Sequence, residues 1–145
     1  MKLVAVKQGH SLVAQDRLAI DDLDKIKDGA MVTVEVIKKR SIQHHRRFFA
    51  LVRFCFEHQR EPVRYLTEDA MRAAITISAG HRTELYMADG TLAFMANSIA
   101  WDKMDQVAFN EFWRNCCDAI KRHYVPGITD EHIRQGLEDL IGAAA

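Results

Sequence analysis

The sequence predicts an α+β fold, with a small antiparallel or mixed sheet packed against several helices. Three observations carry that expectation. The stretch AMVTVEVI, residues 30–37, alternates with the period of a half-buried strand. At Arg40-Ser41 the apolar period changes from that of a strand to that of a helix. Asp89-Gly90 stands between two short apolar runs, which signals a tight antiparallel hairpin. Strands and helices thus occur in blocks, without the regular βαβ alternation of a parallel sheet.

Taken in order, KLVAVK (Lys2 to Lys7) reads as a short strand, continued by Leu12 to Ala14. DDLDKIKDG reads as a short helix with Leu23 and Ile26 inward and Gly29 as its stop. In the alternating stretch, Met31, Thr33 and Glu35 share one side and Val32, Val34 and Val36 the other. A strand with one buried face follows from that pattern.

Ser41 can cap a helix from Ile42 to about His58. At 100° per residue, Gln43, Arg46, Ala50, Arg53, Glu57 and Arg60 fall on one narrow polar stripe. Phenylalanines 48, 49, 54 and 56, with Leu51, Val52 and Cys55, fill most of the rest. Thr67 caps a helix from Glu68 to Ala79, ended by Gly80. A long amphipathic helix spans Asp102 to His123 and stops at Pro126-Gly127. Thr129 caps the last helix, where Ile133, Leu137, Leu140 and Ile141 share a face. Gly136 weakens that helix by roughly 1 kcal/mol relative to alanine. Residues 1–145 read as a single domain, large enough to bury a core without metal or disulfide.

Twenty basic and twenty acidic side chains balance, but unevenly. From Lys38 to Arg64 there are eight Lys/Arg against Glu57 and Glu61, a local excess of six. A basic patch on an otherwise acidic body follows. No apolar run reaches the roughly 20 residues of a membrane span, and the N-terminus does not resemble a signal peptide. Three cysteines, two of them adjacent, form no disulfide framework, so a reducing cytoplasm is expected.

The sequence offers no catalytic constellation and no cofactor or metal motif. HExxH, Cys-x-x-Cys, a Walker loop and GxGxxG are all absent. His44 and His58 would stand about 21 Å apart along their helix, too far to share an ion. The three cysteines lie on or beside apolar helix faces, where cysteine acts as a small hydrophobe. The basic residues around the helix start are groups that contact phosphates, and a helix N-terminus favours an anion. Lys38, Lys39, Arg40, Arg46, Arg47 and Arg53 are the candidate phosphate contacts, with Ser41, Gln43 and His44 as polar contacts beside them. Trp101 and Tyr65 are candidate stacking partners for bases, or simply core aromatics.

The residues Arg40-Ser41, Gln43-His44-His45-Arg46-Arg47 and Phe49-Ala50 run together without a gap, followed by Tyr65-Leu66 leading into a helix with Arg72 and Ile75. Ser98 precedes the long helix. In this pattern the chain resembles the NinB (Orf) recombination proteins of lambdoid phages over roughly residues 31–141. It also resembles an uncharacterised group of phage proteins with the same Arg/Phe-rich helix, to which its N-terminal part is closer. His44 and His45 stand where NinB proteins have Gln-Asn. The resemblance implies a non-enzymatic homodimer in the bacterial host cytoplasm. It implies preference for single-stranded DNA and assistance to phage recombination alongside host single-strand-binding protein.

The leading expectation is therefore a DNA-binding recombination accessory protein. The alternative is a phage host-takeover or anti-defence protein, its acidic surface formed by Asp21, Asp22, Asp24 and Asp28. A third is a metal-dependent nuclease using the histidines. For the dimer, the long helix with Phe109, Phe112, Trp113 and Tyr124 is the expected contributor, because its apolar arc exceeds half the helix circumference.

Overall fold

A computed structural model describes residues 1–36, 42–99 and 104–142. It places strands β1 (Ala5–Gln8) and β2 (Ser11–Ala14) and helix α1 (Arg17–Leu23), then α2 (Ile42–Glu57) and α3 (Glu68–Ser78). Strands β3 (Arg82–Tyr86) and β4 (Leu92–Ala96) follow, then α4 (Gln106–Ala119), a π-helical turn over Ile120–Tyr124, and α5 (Asp130–Ile141). The fold is α+β. Its strands form two separate antiparallel pairs, β1–β2 and β3–β4, rather than one sheet.

The first apolar run does not continue through Ala14 as one strand. It reverses at Gly9, whose φ of 59° lies where glycine is favoured, and pairs Ala5 with Ala14 and Gln8 with Ser11. The acidic helix begins earlier than the sequence suggests, because Asp16 caps it: its carboxylate accepts from Ala19 N at 2.9 Å. That shift turns the helix, so Leu18, Ala19 and Asp22 are buried while Leu23 is exposed.

Residues 30–36 form no strand, and their valines are exposed. The alternation is a correct signal of strand propensity, but a strand also needs a neighbour, and the described part of the chain supplies none. The Asp89-Gly90 hairpin forms as its sequence dictates, with Asp89 Oδ1 accepting from Thr91 N at 3.0 Å and Gly90 at φ 87°.

Helix α2 is the centre of the molecule and packs between α3 and α5. Phe48, Leu51 and Cys55 on it are fully buried. They meet Met71 and Ile75 of α3, Phe109, Phe112 and Cys116 of α4, and Ile133, Leu137 and Leu140 of α5. Burying each such large side chain contributes roughly 1.5–3 kcal/mol before entropy is counted. Thr67 and Thr129 cap α3 and α5, and His132 completes a capping box on the latter. The long helix is capped by Asp105 and widens into the π turn before Pro126-Gly127; Asp102, its expected start, lies outside the described residues. Among the described residues no helix is long and apolar enough to cross a membrane.

Most of the apolar arc of α4 is used within the chain, with Trp113 half-buried and Ala108 exposed. Phe109, Phe112, Cys116 and Ala119 are all buried within the chain, and Tyr124 packs on Tyr65, ring centres 5.7 Å apart. The Phe-rich α2 supplies the cover: Phe48 sits 5.2 Å from Phe112.

Candidate nucleic-acid interface

Lys38, Lys39, Arg40 and Ser41 lie outside the described residues, as does Trp101. Gln43 occupies the first turn of α2, and its side chain too is outside what is described. The remaining four candidates can be placed, and they separate into distinct environments.

Arg53 is not a surface contact. Its side chain is 4% exposed, and Nη2 donates to Asp22 Oδ1 at 2.5 Å. Glu68 Oε1 lies 2.5 Å from its Nε, and Asp21 stands at 3.7 Å. Burial pulls the guanidinium pKa down, but Glu68 and Asp22 outweigh it and raise the net value. Arg53 thus ties α1, α2 and the start of α3 together. The stripe read as polar and solvent-facing is covered at this position by two other helices.

The same geometry draws two of the four acids expected on an exposed host-binding face into ion pairs, while Asp24 and Asp28 are exposed. Asp22 is buried against Arg53, while Asp21 faces Arg53 and Arg17. Asp21 and Asp22 thus hold the fold together, and the four acids do not form one exposed row. A groove of about 450 Å³ beside them is lined by Leu18, Asp22, Phe49, Val52, Phe56 and Glu68. Lys2, Lys25, Asp69 and Arg72 also line it, so acidic and basic side chains mix along its wall.

Arg46 is half-buried, with Nε 2.7 Å from Asp16 Oδ2, so one aspartate both caps α1 and fixes this arginine. Arg47 lies with its guanidinium 4.4 Å from the centre of the Trp113 ring. Its Nε is buried without a hydrogen-bond partner among the described residues. His44 stacks on Phe109 with ring centres 4.4 Å apart. Burial and then the Arg47 charge push the His44 pKa below the ordinary imidazole value, which favours the neutral ring.

The start of α2 and the middle of α4 thus form one layered surface: His44 on Phe109, and Arg47 on Trp113. Neither Trp113 nor Asp16 stands out as a contact in the sequence. Trp113 is legible in part, since Phe109 and Trp113 are one helical turn apart, and their rings stack at 6.3 Å. Its pairing with Arg47, across 66 residues, is not. Tyr65 lies against Tyr124 instead, so it is used in packing.

Three of the histidines serve structural roles in separate places. His58 Nδ1 is 2.8 Å from Phe54 O, His81 Nε2 is 2.8 Å from Ser98 O, and His132 belongs to the α5 cap. Among the described residues no three His, Cys, Asp or Glu side chains converge as metal ligands. The cysteines are poor nucleophiles: burial raises the Cys55 thiol to about 12 and Cys117 to about 11, and raises Cys116 as well.

No curated protein and no solved structure matches the chain. A family model described as "Protein of unknown function (DUF1367)" matches residues 1–68 and 59–128. Those two segments together span most of the sequence, from the first hairpin through the π turn, and the chain therefore belongs to the DUF1367 family.

Proposed function

We propose that this protein is a phage-encoded DNA-binding accessory of recombination, acting without catalysis on single-stranded DNA. The observation that carries the reading is Arg47 near the start of α2 with its guanidinium 4.4 Å from the centre of the Trp113 ring. A guanidinium held against a ring has its orientation set before binding, and with Nε buried the terminal Nη groups are those that would meet a phosphate. The segment leading into that helix contains Lys38, Lys39 and Arg40, with Ser41 and Gln43 following. His44, half-buried and backed by the buried Phe109 ring, offers beside Arg47 a ring on which an unpaired base could stack. The NinB-like pattern of residues supports the same reading, as does the absence of a nucleophile or metal motif in the sequence. Arg53 is no longer part of the proposed surface, and Arg46 acts chiefly through its pair with Asp16.

Anisotropy titrations with labelled single- and double-stranded oligonucleotides at two salt concentrations test this. The single strand should bind more tightly, and affinity should fall as salt rises. Arg47→Gln should weaken binding several-fold with the fold intact. Failure to bind either form at low salt would reject the reading.

A further inference from the structure

Among the described residues two β-surfaces lack a partner strand, and they fit each other. Met31, Val32, Val34 and Val36 are 99%, 53%, 62% and 69% exposed, and among the described residues no backbone hydrogen bond involves residues 31–36. Six consecutive unpaired residues with strand alternation and exposed valines lack the neighbour that this pattern calls for. The second surface is the β3–β4 hairpin. It has only two strands, yet Leu85, Tyr86, Met87, Phe94 and Met95 are all exposed on it. A two-stranded ribbon is marginal alone, and a third strand is the usual remedy.

The free edge of the hairpin can be identified. Met87 N donates to Thr91 O at 2.8 Å, and Asn97 N donates to His81 O at 3.0 Å. With the observed pairing of Leu85 to Ala93 and Thr83 to Met95, odd-numbered residues of β3 bond to β4. Arg82, Glu84 and Tyr86 therefore turn their N–H and C=O groups to the other edge. Strand β4 runs beside α3, so that edge is the outer one.

We propose that residues 31–36 of one copy add as an antiparallel third strand to the outer edge of β3 in a second copy. The exchange is reciprocal and gives a two-fold dimer. Chemistry selects the register. With Glu35 opposite Arg82, Thr33 faces Glu84 and Met31 faces Tyr86; on the other side Val32 faces Leu85 and Val34 faces Thr83. This joins the valines to the hairpin side that holds Leu85, Met87, Ala93 and Met95, and it pairs opposite charges at Glu35 and Arg82. A one-residue slip puts the valines on the side of Arg82 and Glu84. A two-residue slip toward the turn sets Glu35 against Glu84, like against like. The second copy is the occupant because one chain supplies both the lone strand and the open edge. A single two-fold operation then satisfies both twice. The inference does not depend on DNA binding.

Cysteine cross-linking of the full chain tests it. Val34 and Thr83 would be a directly opposed, closely spaced pair suited to a disulfide. Val34→Cys and Thr83→Cys proteins, mixed and oxidised, should give a cross-linked dimer, whereas Val34→Cys mixed with Glu84→Cys should give far less. The native thiols interfere little, since Cys55 and Cys116 are buried and burial raises Cys117 to about 11. Thr33→Pro removes an N–H facing β3 and should turn the dimer into monomer in sedimentation equilibrium, with helical circular dichroism unchanged. Three results would overturn the proposal. They are a parent protein that is monomeric at micromolar concentration, a cross-link that forms only within one chain of the Val34→Cys/Thr83→Cys double variant, and a folded Thr33→Pro protein that dimerises as the parent does.

Discussion

Arg53→Ala is expected to destabilise the protein by about 3–5 kcal/mol, the usual cost of breaking a buried ion pair from one side. The loss strands Asp22, itself buried, and leaves Glu68 without its closest cation. Urea unfolding followed by circular dichroism measures the change, and Asp22→Ala should cost a similar amount. The double variant Arg53→Met/Asp22→Leu separates charge from packing. It removes both charges and keeps volume, so it should recover most of the stability. A loss within about 0.5 kcal/mol for Arg53→Ala, the size of an ordinary surface substitution, would mean that the guanidinium is not buried as described.

Gly136→Ala should also destabilise, although helix propensity predicts the reverse by roughly 1 kcal/mol. Gly136 faces the Phe54 ring where α5 crosses α2. A methyl group there would fall well inside contact distance of Phe54 Cδ2 and Cε2, and 3.1 Å from Cγ. The ring has no room to retreat: Phe54 is buried, and His58 lies on it with ring centres 4.2 Å apart. Overpacking of this kind costs about 1–3 kcal/mol. A thermal melt should show a lowered midpoint for Gly136→Ala, and Phe54→Leu in the same chain should restore part of it. A raised midpoint would show that α2 and α5 do not approach this closely.

What can be read from the sequence is local. Thr67 and Thr129 act as caps because their hydroxyls need only a backbone N–H three residues on. Asp89-Gly90 forms a hairpin for a similarly short-range reason. The apolar face of α2 is also legible, since period alone separates Phe48, Leu51 and Cys55 from the stripe. The stripe itself misleads at Arg53. Periodicity gives an angle around the helix but does not say what lies beyond it, and Asp22 is 31 residues away. Residues 30–36 mislead for the same reason, because alternation fixes propensity and not the neighbouring strand. Gly136 inverts its meaning once the crossing with α2 is known. At the candidate interface, charge alone identifies Arg47, whereas Trp113 beneath it requires the packing of α4 on α2.

The central claim is that the basic segment entering α2, together with Arg47, meets DNA phosphates while Arg53 serves the core. The dependence of affinity on salt tests this most directly, measured on a single-stranded oligonucleotide. Neutralising Lys38, Lys39 and Arg40 together to Gln should lower the log–log slope by about 0.7 for each phosphate that is no longer neutralised, or roughly 2 in all. The compensated Arg53→Met/Asp22→Leu protein should keep the parent slope. An unchanged slope in the Lys38/Lys39/Arg40 variant, or a slope lowered as much by the Arg53 pair, would contradict the account.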